Sequence, residues 1–186
     1  MMRRVQRLAI TGTFIGCLLM LCTSLTLIAG AEPTQETANQ ANRQAIPGDC
    51  HVNQKYPESV RQWCDWITFY AEQVELPPDL IAAVIWLESG GNPQAYSKSG
   101  AVGLMQVMPR DGLAANFRCI NGPCFASRPT IEELQQPEFN IEYGVKMLAA
   151  LLASTGSLRD ALKAYGPMDV GYSYADRILS IYQQWR

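Results

Sequence analysis

The sequence predicts a mainly α fold, one helical domain of about 140 residues set behind an N-terminal extension. Three observations carry this. Apolar residues recur at spacings of three and four through most of residues 49–186. No run alternates apolar and polar residues as a half-buried strand would. Cap and breaker residues bound the apolar stripes where helices should begin and end.

The extension comes first. Arg3, Arg4 and Arg7 precede an uncharged stretch from Leu8 to Gly30, which closes on Ala29-Gly30-Ala31. A basic start, an apolar middle and an A-x-A end describe a secretory signal peptide. The apolar stretch is long for one, so residues 1–31 are read as a signal peptide cleaved after Ala31 or as an N-terminal membrane anchor. Either reading holds the arginines inside and places the remainder outside the cytoplasm, in the periplasm or secreted. Membrane contact is then expected only through this segment. Residues 32–48 are rich in Gln, Asn, Thr, Ala and Pro and read as a flexible tether. The domain itself is expected over 49–186.

Export gives the cysteines a meaning. Four of the six, Cys50, Cys64, Cys119 and Cys124, follow the apolar stretch. An even number outside the cytoplasm reads as two disulfides. Of the three possible pairings, Cys50–Cys64 and Cys119–Cys124 are preferred. The second closes the turn sequence Ile120-Asn121-Gly122-Pro123, and the first ties the start of the domain to its first helix.

Along the domain, Val60, Trp63, Ile67, Tyr70 and Val74 form the first helical stripe. Pro77, Pro78 and Asp79 open a second helix, which is central because Leu80 to Leu87 is nearly all apolar; Gly90 and Gly91 stop it. Thr130 and Glu133 form a capping box for a short helix ending at Pro137. Ile141, Gly144, Val145, Leu148, Leu151 and Leu152 make the next stripe. Ser157 caps a helix bearing Leu158, Ala161, Leu162 and Tyr165, and Tyr174, Ile178, Ile181, Tyr182 and Trp185 mark the last.

Several function classes are disfavoured. A single histidine, His51, and the absence of HExxH exclude a two-histidine zinc hydrolase, and no metal or organic cofactor is expected. The net charge is −2, and it becomes −5 once the three arginines of residues 1–31 are removed. That balance gives no reason to expect nucleic-acid binding. GxGxxG and GxxxxGK[ST] are both absent, so a nucleotide site has no support.

Glu88 does not fit a purely structural account. It follows Val84-Ile85-Trp86-Leu87 at the C-terminal end of the central helix. The negative end of the helix dipole and apolar neighbours both disfavour its charge, which suits a general acid. On position alone, a surface glutamate turned from the core is an equal reading. The stretch that follows is polar and punctuated by glycine, with hydroxyls and amides suited to a sugar. His51 and the tryptophans Trp63, Trp66, Trp86 and Trp185 read as structural, with Trp86 left open for its closeness to Glu88.

From Glu88 to Pro109 the chain reads E-S-G-G-N-P-Q-A-Y-S-K-S-G-A-V-G-L-M-Q-V-M-P. This run resembles the signature of the soluble-type (SLT), goose-lysozyme-related lytic transglycosylases. Weaker similarity continues through Asn140-Ile141, Gly144, Leu162, Ala164-Tyr165 and Tyr174, so that roughly Val60 to Ile181 is covered. The resemblance implies a lysozyme-like fold and cleavage of the MurNAc–GlcNAc β-1,4 bond of peptidoglycan with formation of 1,6-anhydroMurNAc ends. It implies Glu88 as catalytic acid/base, Ser97, Gln106, Met108 and Tyr165 as substrate-binding residues, and no cofactor. Peptidoglycan glycan strands are the expected partner, and a secretion or conjugation apparatus is a further candidate. The alternatives are a muramidase using water and a wall-binding assembly accessory without catalysis. One departure stands out. The family's asparagine after Ala-Tyr is missing, because Tyr165 is followed by Gly166-Pro167. Asp169 is a candidate contributor there, and Asp111, Glu132 and Glu133 are candidate second carboxylates with solvated surface positions as their default.

Overall fold

A computed structural model describes residues 48–117 and 127–186. Residues 1–31, the tether 32–48 up to residue 47, and the Cys119–Cys124 pair lie outside the described residues. The described residues form seven α-helices and one 3-10 turn. The helices are α1 (Glu58–Arg61), α2 (Cys64–Gln73), α3 (Pro78–Ser89), α4 (Ile131–Leu134), α5 (Pro137–Thr155), α6 (Leu158–Tyr165) and α7 (Ser173–Trp185); the turn is Gly112–Ala114. No strand forms among them. Two isolated bridges, Tyr96 with Val102 and Val102 with Val107, are the only β pairing there.

The central helix is α3. Pro78 occupies its first turn, where the missing N–H costs nothing. Leu80, Ile81, Ala82, Ala83, Val84 and Ile85 are all fully buried. A helix apolar on every side needs neighbours on every side, and α1, α2 and α7 supply them. Gly90 ends the helix at φ 62°, the left-handed cap that glycine adopts without strain. At Gly91 the backbone of Ser59 lies so close that an added Cβ would sit 2.0 Å from its carbonyl oxygen. Only glycine permits this contact between α1 and the end of α3.

Two sequence expectations are corrected. The stripe from Val60 to Val74 is divided between α1 and α2, because Trp63 leaves the helical region (φ −98°, ψ 6°) and its indole Nε1 donates to Gly91 O at 3.0 Å. The helix expected to end at Pro137 ends at Leu134. Pro137 instead opens α5, and Gln136 before it is extended (φ −79°, ψ 116°), as a residue preceding proline tends to be. The capping box of Thr130 and Glu133 and the Ser157 cap are both present.

Cys50 and Cys64 are disulfide-bonded, tying residue 50 to the first turn of α2. His51 sits beside this bond at the surface, paired with Glu72 at 2.6 Å. Trp63 stacks on Trp66 with centroids 5.7 Å apart. Trp86 packs against Trp185, which meets Tyr56 edge-on at 4.9 Å, so the last helix is closed onto the core by aromatic contacts.

Candidate active site

Beyond Gly90 the chain builds one wall of a cleft from residues 92–109. Its folding rests on one buried side chain, Asn140 on α5. Asn140 Oδ1 accepts from Met105 N at 2.8 Å, and its Nδ2 donates to Val102 O and Leu134 O, each at 2.9 Å. A fully buried amide with every contact made specifies one arrangement of the loop it holds. Gly103, at φ 79°, passes so near that a Cβ there would lie 2.2 Å from the Asn140 nitrogen. From the other side, the Tyr165 hydroxyl donates to Met105 O at 2.8 Å. Met105 seats against Gly144, which is why α5 carries a glycine in an otherwise apolar stripe.

Gln106 is held at φ 48°, the left-handed region that non-glycine residues seldom occupy. Its side-chain Nε2 donates to Gly103 O at 3.0 Å and Ala95 O at 3.2 Å, which fixes it there. Ser97 closes the neighbouring turn, its Oγ accepting from Ala101 N at 2.9 Å.

Glu88, Ser97, Gln106, Met108 and Tyr165 line one cleft of about 440 Å³, together with Ser99, Ala101, Phe117 and residues 166–169. The structure therefore brings together every residue that the resemblance singled out. A second cavity of about 150 Å³, lined by Arg128, Tyr143, Met147 and Leu151 among others, shares Gln106, Met108, Phe117, Tyr165, Gly166 and Met168 with the cleft and branches from it.

Glu88 is largely enclosed. Burial pushes its carboxyl from the ordinary 4.5 up to about 7. A hydrogen bond from the Tyr174 hydroxyl to Oε1 acts in the opposite direction by favouring the ionised form. Tyr165 and Tyr174 are themselves pushed well above their usual range, first by burial and then by the charge of Glu88. Both remain protonated donors across the neutral range. The cleft thus holds a carboxyl near its midpoint at neutral pH, oriented by a phenol that does not titrate.

Tyr174 is the residue that sequence reasoning missed in this role. It falls on the apolar stripe of α7 and reads as core, and only the position of Glu88 across the fold shows what its hydroxyl faces. Its ring also packs directly on Gly166, the residue that stands where the family has asparagine. A Cβ on Gly166 would lie 2.3 Å from Tyr174 Cδ1, so a side chain directly after Tyr165 has no room. The candidate second carboxylates are engaged elsewhere. Asp111 Oδ1 accepts from Ile131 N at 2.9 Å, Glu133 caps α4, and Glu132 is exposed. None of the three lines the cleft, whereas Asp169 does. Among the described residues no group of three His, Cys, Asp or Glu side chains could hold a metal ion.

Comparison with known proteins decides the family. The family described as the transglycosylase SLT domain matches residues 65–170, which contain the whole wall from Glu88 to Pro109 and the Tyr165 segment. The chain belongs to this family. The SLT domain here is similar to membrane-bound lytic murein transglycosylase E of Buchnera aphidicola, at 30% identity over 148 residues, 79% of this chain and 63% of that protein. It is also similar to endo-type membrane-bound lytic murein transglycosylase A of Klebsiella pneumoniae, at 45% identity over 74 residues (40% and 35% of the two chains). The protein of that same description from Citrobacter koseri is 32% identical over 127 residues, 68% of this chain and 57% of the relative. The chain spans less than two thirds of the length of each of these relatives. The helical architecture, without strands among the described residues, agrees with the lysozyme-like fold of the family.

Proposed function

We propose that this protein is a peptidoglycan lytic transglycosylase that cleaves the MurNAc–GlcNAc β-1,4 bond and leaves 1,6-anhydroMurNAc ends. The observation that carries this reading is a largely enclosed carboxyl, Glu88, whose pKa burial raises to about 7 and which Tyr174 hydrogen-bonds, lining a cleft with Ser97 and Gln106. Hydrolysis of a glycoside by a pair of carboxylates needs one on each side of the bond. Here, among the described residues, the only other carboxylate lining the cleft is Asp169, exposed on a loop at its rim. A route that needs a single carboxyl fits this arrangement better.

In that route protonated Glu88 donates its proton to the departing GlcNAc O4, and the C1–O4 bond breaks. The sugar cation is stabilised by its own acetamido oxygen. The carboxylate then accepts the proton of the C6 hydroxyl as O6 bonds to C1, closing the anhydro ring and returning Glu88 to its starting state. The intramolecular nucleophile gains from a high effective concentration. A pKa near 7 lets one group serve as acid and then as base. Tyr174 positions the carboxyl and moderates its pKa. Ser97, Gln106 and Met108 contact the glycan, and Tyr165 holds the Met105 carbonyl and with it the loop that carries them.

The relatives are membrane-bound lytic murein transglycosylases by name, which supports action on the cell wall outside the cytoplasm. We read residues 1–31 as signal peptide or anchor, 32–48 as tether and 49–186 as the enzyme. A secretion or conjugation apparatus that needs local opening of the wall is a suitable partner for such an activity. The test is turnover of purified peptidoglycan by wild type and Glu88→Gln. Loss of glycan release with unchanged helical content supports the assignment, and full activity of the variant refutes it.

A further inference from the structure

The segment 166–171, where the chain departs from the family pattern, carries a charge that the reaction above does not use. Resting on that reading of the cleft, we propose that Asp169 is a specificity-determining residue that binds an ammonium group carried by the glycan strand. Among the described residues, Glu88 and Asp169 are the only charged ones lining the cleft. Glu88 lies at the base, engaged by Tyr174. Asp169 is exposed at the rim, and no hydrogen bond or ion pair occupies its carboxylate among the described residues. Arg128 in the adjoining cavity donates to the carbonyls of Pro109, Ala114 and Ala115 and forms no pair with it.

The loop that presents this carboxylate is fixed at both ends. Gly166 is seated on the Tyr174 ring. Gly171 turns the chain at φ 60° into Tyr172. The Tyr172 ring is met by the Arg159 guanidinium at 4.0 Å and by Lys163 Nζ at 4.4 Å from its centroid, and its hydroxyl donates to Asp160 at 2.6 Å. Arg159 is held in turn by two bonds to Asp176, at 2.7 and 2.9 Å. A carboxylate on a loop anchored this way binds with less ordering cost than one on a free loop. Met168 and Val170 flank it as exposed apolar side chains, 52% and 40% accessible, offering contact for the alkyl part of an amine.

Peptidoglycan supplies ammonium groups from two sources. One is a hexosamine whose acetyl group has been removed, and the other is the side-chain amine of a diamino acid in a peptide stem. The shared chemistry, a cation hydrogen-bonded by a carboxylate, is what Asp169 selects.

The experiment measures binding of the full chain carrying Glu88→Gln, so that its outcome does not depend on turnover. The first pair of ligands is peptide-free strands, fully N-acetylated or partly de-N-acetylated. The second pair is strands with peptide stems whose side-chain amine is free or acetylated. The expected result is a preference of about tenfold in Kd for the amine-bearing member of at least one pair. Which pair shows it identifies the source. Adding Asp169→Asn should bring that ratio close to one, while Asp169→Glu retains most of it, and raising the salt concentration should weaken it. A ratio near one in both pairs before Asp169 is changed, or a preference that survives Asp169→Asn, overturns the proposal. Failure of the transglycosylase reading itself would appear separately, as absence of anhydro ends from the protein with Glu88 intact.

Discussion

Replacing Glu88 by Gln should change stability in a pH-dependent way whose size follows from the site. Folded, Glu88 keeps its proton up to about pH 7, whereas its ordinary value is 4.5. Between those values the folded protein binds more protons than the unfolded chain, so stability falls as pH rises. Below the lower value both states are protonated and the effect is absent. Above the upper one it is complete. At roughly 1.4 kcal/mol for each tenfold change in proton activity, the interval corresponds to about 3 kcal/mol. Glutamine has a similar shape and does not titrate, so it escapes this cost. Denaturant unfolding of both proteins should show the variant gaining about 3 kcal/mol relative to wild type between pH 4 and pH 8.5, on top of any constant offset from the altered Tyr174 bond. A stability difference that stays flat across that range would falsify the account of Glu88 as a carboxyl whose burial disfavours its charge.

Four other outcomes follow from the geometry. Glu88→Gln should lower turnover of peptidoglycan by about 10²–10⁴-fold, measured as soluble glycan released. Tyr174→Phe removes the bond that favours the ionised form, so the pKa of Glu88 rises. The high-pH limb of kcat, where the acid loses its proton, should then move to higher pH, and a shift to lower pH contradicts the role given to Tyr174. Asn140→Ala leaves the Met105 amide and the Leu134 carbonyl without this partner, while Val102 O keeps its bond from Val107 N, and should cost about 3 kcal/mol in denaturant unfolding. Replacing Cys50 and Cys64 together by Ser opens a closed loop and should cost about 2–4 kcal/mol, or an equivalent fall in Tm.

Much of the fold is legible in the sequence because its signals are local. Pro78 and Gly90 bracket the central helix, Ser157 and Thr130 cap theirs, and the apolar stripes have helical spacing. The signals that misled were local ones overridden by packing. Trp63 fits the stripe of a continuous helix, yet its indole finds Gly91 O and the helix breaks there. Pro137 reads as a terminator of one helix and is the start of the next, since proline serves either role. The site is legible through Glu88 and the run after it. What the sequence could not reveal is long-range pairing. Tyr174 lies 86 residues from Glu88, and Asn140 lies 35 from Met105. Their partners are set by how α5 docks against α2, α4 and α6, and α7 against α3. The departure after Tyr165 is visible in the sequence, but the close packing of Gly166 on the Tyr174 ring is seen only in the fold.

The most direct test of the proposed reaction is the mass of the new ends made by the wild-type protein on purified peptidoglycan. A single carboxyl acting on the substrate's own C6 hydroxyl predicts 1,6-anhydro ends, lighter by one water than the products of hydrolysis. Products carrying only hydrated reducing ends would contradict it.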